Sequence, residues 1–220
     1  MGAIHVQRGD WSIAQLNPPV GEPLTLAQAK LHLRIDDSLT EDDVYVTDLI
    51  SAARGELEDE YGIRFLQQQV EVRLQNFPRA DRIKLPIWPV QTIDYFRYHV
   101  ADGTVGTMDV VTDDTQAISG SAVLTRVSKK PAEVMLPFAH VWPAVILQAA
   151  DGIRIGLTVG YLTGGSPETL PIPPAALMAM RRLISHGYEN RDNVTLGTLM
   201  KSDEIAFGVS RLMANVGLYW

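Results

Sequence analysis

The period of the apolar residues changes twice along this chain, and that double change constrains the fold more than any single motif. Between Thr25 and Gly62 apolar residues recur at helical spacing. From Gln69 to Tyr161 they alternate with polar residues, and from Ala175 the helical spacing returns. Such a pattern predicts an α+β protein: a small helical core of about three main helices plus a C-terminal tail helix, interrupted by an inserted antiparallel β subdomain.

The local signals agree. Thr25 and Gln28 have capping-box spacing just after Pro23, so the first helix opens at Thr25 and places Leu26, Ala29 and Leu33 on one face. The second helix is expected to start at Thr40, with Glu41, Asp42 and Asp43 favouring the positive end of its dipole and Gly62 supplying the stop. Its buried stripe is Val46, Leu49, Ile50, Ala53, Leu57 and Tyr61. A third helix over 175–190 brings Arg181 and Arg182 within reach of the acidic second helix. Strands are expected over 69–74, 82–85, 92–100, 104–111, 122–127 and 153–161. The last shows the clearest alternation, with Ile153, Ile155, Leu157, Val159 and Tyr161 against Arg154, Gly156, Thr158 and Gly160. The resulting division is an N-terminal arm over 1–24, a helical core over 25–66 and 173–193, a β-rich insertion over 67–162, a Gly/Pro-rich connector over 163–172, and a C-terminal tail over 194–220. That tail, with Val209, Leu212, Met213 and Val216 at helical spacing before Tyr219 and Trp220, either meets a partner or packs as a last helix on its own chain.

Composition narrows the function classes. No apolar run approaches the ~20 residues of a membrane span. With no cysteine there are no disulfides, thiol nucleophiles or thiolate metal sites. The net charge of −7 is concentrated: residues 26–66 carry four Lys/Arg against ten Asp/Glu, a net −6. That surface repels phosphate, and as a solvated helix face it needs no ligand. The five histidines have no metal-ligand spacing, and His32 with Asp36 reads as a solvated turn. Asp36-Asp37 and Asp42-Asp43 have turn and capping roles. Gly164-Gly165-Ser166 lacks the Lys of a phosphate loop. The residues therefore point to no catalytic site, cofactor or metal. Trp88, Tyr95, Tyr98 and Trp142 provide an alternative, a stacking surface on the β insertion for a glycan or peptide, and an enzyme with a dispersed site is the remoter one.

Four stretches carry a resemblance: PLTLAQAKLHLRID (23–36), DDVYVTDLISAARGELEDEYGIRFLQQ (42–68), LPIWPVQTIDYFRY (85–98) and PPAALMAMRRLISHGYENRD (173–192). They resemble the head-tail connector (adaptor) family of tailed bacteriophages and gene transfer agents, and the likeness spans about three quarters of the chain. The resemblance implies a structural protein of the virion or phage-like particle, made in the bacterial cytoplasm. It would form a ring, a dodecamer in the particle, beneath the portal protein and join it to a tail or stopper protein. DNA would pass through the ring without specific binding, and no membrane is involved. It also implies that the end of the chain engages the portal, through Phe207, Gly208, Val209 and Leu212, although Ala206 replaces the proline that relatives place before this segment. If the acidic second helix faces the channel, Glu56, Glu58, Asp59 and Glu60 line it, where like charge lets DNA slide.

Overall fold

The computed structural model describes residues 11–112, 121–161, 171–191 and 208–218. The expected connector, much of the tail, Phe207, Tyr219 and Trp220 lie outside them. The chain divides into two compact units, one of residues Met1–Pro18 and Gln67–Gly160, the other of Pro19–Leu66 and Tyr161–Trp220.

The first unit is an eight-stranded sheet: β1 (Trp11–Asn17), β2 (Gln68–Leu74), β3 (Arg82–Lys84), β4 (Val90–His99), β5 (Val105–Val111), β6 (Ala122–Arg126), β7 (Glu133–Met135) and β8 (Ile153–Val159). Their order across the sheet is β1-β2-β8-β4-β5-β6-β7-β3. The expectation of an antiparallel sheet holds for every pair except β5 and β6, which run parallel. β5 changes partner partway: it pairs with β4 through Met108 and with β6 from Asp109 onward. That switch curls the sheet, so the inner faces of β2, β8 and β4 and those of β3, β6 and β7 share one core. Val72, Phe96, Ile155 and Leu157 meet Ile83, Val123 and Val134 there. β8 sits centrally, and its alternation is the one the sequence shows, with Ile153, Ile155, Leu157 and Val159 all fully buried. β1 lies within the stretch expected to be an arm. It pairs with β2 from Trp11↔Leu74 onward and turns Trp11 and Ile13 to the core. β7, three residues long, is also absent from the sequence reading because so short a run carries no period.

The second unit holds α1 (Leu26–Leu33), α2 (Asp43–Tyr61), α3 (Pro174–Glu189) and a short helix, α4, over 208–213. The Thr25 capping box forms in both directions, Gln28 N donating to Thr25 Oγ1 at 3.2 Å and Thr25 N to Gln28 Oε1 at 3.0 Å. Gly62 ends α2 in the left-handed conformation, φ 61°. The start of α2 is later than expected, at Asp43, because Thr40 and Glu41 are consumed in a turn that closes on Lys30. The Lys30 ammonium, 3% exposed, donates to Asp37 O at 3.1 Å, Leu39 O at 2.6 Å and Asp43 Oδ1 at 2.9 Å. All three of its donors are used, which is what permits a lysine to be buried.

The end of α3 locks onto the start of α2. Tyr188 donates its hydroxyl to Asp42 Oδ2 at 2.6 Å, and Arg191 reaches Asp42 Oδ1 at 2.9 Å while lying over the rings of Tyr45 and Tyr188. Tyr45 donates to Gly187 O at 2.8 Å. Gly187 lets Leu49 pack close, since a Cβ there would come within 2.6 Å of its Cδ2. Arg181 and Arg182 do not pair with the acid of α2 as expected: neither forms an ion pair among the described residues, and Arg182 instead lies against Gly208 of α4. The α2 face turned to α3 is apolar and aromatic, leaving its carboxylates elsewhere.

Replacing Lys30 with Met strands Asp43 and two carbonyls, and is expected to destabilise this unit by ~3 kcal/mol. Thr25→Ala removes only one cap, about 1 kcal/mol. Hydrogen exchange of the α1 and α2 amides in the two variants should show that order, and equal effects would contradict the central role of Lys30.

Candidate interaction surfaces

The acidic residues of α2 separate into two groups. Glu56, Asp59 and Glu60 are exposed and are neighbours on the helix surface at i, i+3 and i+4. None of the three forms an ion pair among the described residues. Glu58 points the other way. Its carboxylate is 6% exposed, accepts the Phe65 backbone N–H at 2.8 Å and faces Arg54 Nη1 at 3.3 Å. Burial pushes the Glu58 carboxyl above its ordinary 4.5, against the lowering effect of the Phe65 N–H and of Arg64 and Arg54. It is a structural acid and no part of an exposed quartet, because 3.6 residues per turn puts position 58 on the opposite side from 56 and 60.

The C-terminal segment divides similarly. Val209, Met213, Val216 and Leu218 are buried in the second unit. Leu218 N donates to Tyr61 O at 2.8 Å, and Gly217 lies so close to the Tyr61 ring that a Cβ would sit at 2.7 Å. Of the residues expected to meet a portal, Val209 thus faces its own chain, while Gly208 and Leu212 keep partial exposure.

On the outer face of the sheet, Glu71 of β2 accepts from Tyr95 Oη at 2.6 Å and from Arg73 Nε at 2.7 Å. Burial, then the carboxylate of Glu71, pushes the Tyr95 phenol up to about 12. The ring crosses Gly156, where a Cβ would collide at 2.2 Å, and Arg97 stacks on it at 4.3 Å. Of the four aromatic residues expected as a stacking surface, Trp142 and Tyr98 gather on one ring, while Tyr95 lies on the outer face. Trp142 and Tyr98 close on Phe77 at 5.3 and 5.8 Å, Trp142 also stacks on Phe96, and its indole donates to Ala80 O at 2.8 Å. Tyr95 lies on the outer face, clamped by Glu71 and Arg97. These rings hold the unit together.

Two surfaces escape the sequence reading. The first is basic and forms on the outer face of β3, β7 and β6, where the pairing register aligns Lys84, Glu133 and Arg126 across the three strands. Glu133 is 1% exposed, with Lys129 Nζ at 2.8 Å and Arg82 Nη1 at 3.9 Å. Residues 79–84 and 126–133 together carry six Lys/Arg against two Asp/Glu, a net +4 in a chain of net −7. More than forty positions separate the two stretches, so only strand pairing unites them; the alternation of Arg82 and Lys84 about Ile83 was the available signal. The second is apolar. Between β7 and β8 the chain is tied down by Trp142, by Leu136 N to Asp81 O and by Gln148 N to His99 O, yet Phe138, Val141 and Ile146 are 98%, 83% and 80% exposed. Three large apolar side chains are thus left in solvent on a segment whose backbone is tied to the unit.

Residues 23–86 match the model of the phage gp6-like head-tail connector protein family. No curated protein matches the sequence. Among solved structures the fold resembles a chain in the neck of an empty gene transfer agent (GTA) particle, computed with C6 symmetry. Identity is 20%, 95% of this chain and 96% of that chain are covered, and the TM-score is 0.67. A chain in the virion of a native gene transfer agent particle is 20% identical over 94% and 96% of the two chains, TM-score 0.65. One in the neck of a native GTA particle computed with C12 symmetry is 18% identical over 93% and 96%, TM-score 0.58.

Because the folded pKa of Glu58 is raised, its protonation favours the folded state: its contribution is present at low pH and is lost as pH rises from about 4.5 through the folded pKa. Glu58→Gln keeps an acceptor for the Phe65 N–H and removes the titration. Urea midpoints between pH 4 and pH 8 should therefore move in the variant's favour as pH rises; parallel profiles would show that Glu58 carries no such penalty.

Proposed function

We propose that this chain, whose residues 23–86 match the model of the phage gp6-like head-tail connector family, is a structural adaptor that forms a ring under the portal of a phage or gene transfer agent particle. The ring joins head to tail, and DNA passes through it. The family match over the α1–α2 segment carries the reading. The likeness of nearly the whole chain to GTA neck proteins supports it, and the six- and twelve-fold symmetries of those necks support a dodecamer. An ordered ridge with Phe138 almost fully exposed also suits a protein that works by contact.

Portal engagement falls to the outward side of the C-terminal segment. Leu212 meets the portal, while Val209, Met213 and Leu218 hold the segment to its own unit. Removing residues 207–220 would therefore strip core from the second unit and report on folding.

Electron micrographs of the protein mixed with its portal ring should show one added layer, and bare portals in excess adaptor would overturn the reading. Leu212→Asp should lower portal binding at least about tenfold with an unchanged melting temperature. Val209→Asp, by burying a charge, should unfold the unit instead.

A further inference from the structure

A chain that builds a closed ring from identical copies must contact itself through two different surfaces, each complementary to the other. Two exposed surfaces of opposite sign meet that requirement here. One is the α2 face bearing Glu56, Asp59 and Glu60, in a region of net −6. The other is the outer face of β3, β7 and β6, with Lys84, Arg126 and Lys129 around the buried Glu133, in a region of net +4.

Residues 56 to 60 span about 6 Å of helix at 1.5 Å per residue. Lys84 and Arg126 stand two strand spacings apart, roughly 10 Å, with Lys129 over the strand between them. Three carboxylates on one helix face thus oppose a somewhat longer row of cations, a difference that the long, flexible Lys and Arg side chains can span. Glu133 supplies the organisation: its carboxylate holds Lys129 in place and is itself shielded, so it adds little repulsion at the surface.

We infer that the β3–β7–β6 face of one copy receives the Glu56–Asp59–Glu60 face of α2 from a second copy, and that this heterologous contact closes the ring. The inference rests on the connector reading. It moves the α2 acid from the channel wall to the seam between subunits. A second copy is a better occupant of the basic face than DNA, because the complementary carboxylates are carried by the same chain at equal concentration.

The absence of cysteine makes the test direct. Full-length protein carrying both Glu60→Cys and Lys129→Cys is assembled on its portal ring and oxidised. Denaturing gels without reductant should show a ladder of covalent multimers, whereas either single variant should give no species beyond a dimer. Independently, Arg126→Glu with Lys129→Glu should reduce the added ring layer at least tenfold, as should Glu56→Lys with Glu60→Lys, and mixing the two variants should restore it. Circular dichroism and melting curves check that each variant folds.

If the wild-type protein adds no layer to the portal, the connector reading fails and takes the inference with it. If the layer forms but the double-cysteine variant gives monomers or internally linked chains, the seam is wrong and the connector reading stands. Tight binding of a 30-base-pair duplex at 150 mM salt, lost in Arg126→Glu with Lys129→Glu while ring assembly persists, would assign the basic face to nucleic acid and overturn the inference.

Discussion

The helical unit depends on a buried ammonium. Lys30 can lie within the unit only because all three of its protons are taken, two by backbone carbonyls of the turn and one by Asp43 at the head of α2. Leaving such a group unpaired costs several kcal/mol, so the geometry of the turn and the angle at which α2 departs are set together. The same end of α2 is gripped from the other side, where Tyr188 and Arg191 bind Asp42. Lys30 with Asp43 on one side, and Tyr188 and Arg191 with Asp42 on the other, are the two halves of this fastening. Their chemistry is that of a joint that must not slip.

The sheet unit solves a different problem. Eight short strands cannot bury a core as a flat layer, and the change of partner halfway along β5 folds the layer back on itself. The inner face is then largely apolar, and charged side chains are displaced outward, where two carboxylates gather partners around them. Glu71 gathers Tyr95 and Arg73, and Glu133 gathers Lys129 and Arg82. The two carboxylates differ in consequence. Around Glu71 the rings and guanidinium close over the acid, so the cluster serves the unit itself. Around Glu133 the cations outnumber the acids and face outward, leaving a surface of net positive charge. Carried on the same chain as an exposed acidic helix face, it provides both halves of a head-to-tail contact.

Where a local rule suffices, the sequence was a reliable guide. The Thr25–Gln28 box, the Gly62 stop and the alternation of β8 are decided within a few residues and stand as read. Local rules failed where partners are distant or segments short. β1 was legible only as an arm because its hydrogen bonds go to β2, more than fifty residues away, and β7 is too brief to show a period. Among the candidate residues, Glu58 looked like its neighbours Glu56, Asp59 and Glu60 because composition does not register which side of a helix a residue occupies once Phe65 turns back toward it. Arg181 and Arg182 looked like partners for that acid, but the α2–α3 contact is built from Tyr45, Leu49 and Gly187.

By itself the sequence determined the class of fold, the approximate positions of the helices, the concentration of acid between residues 26 and 66, and the likeness of residues 23–86 to a connector family model. All of these reside in periodicity and in contiguous motifs. Tertiary structure alone decided which charges are available. It buried Val209 while leaving Leu212 partly exposed, and assembled a basic face from two stretches that strand pairing aligns. The physical reason is the same in each case: a charged or apolar side chain acts according to what lies against it, and in this protein the deciding neighbours come from elsewhere in the chain.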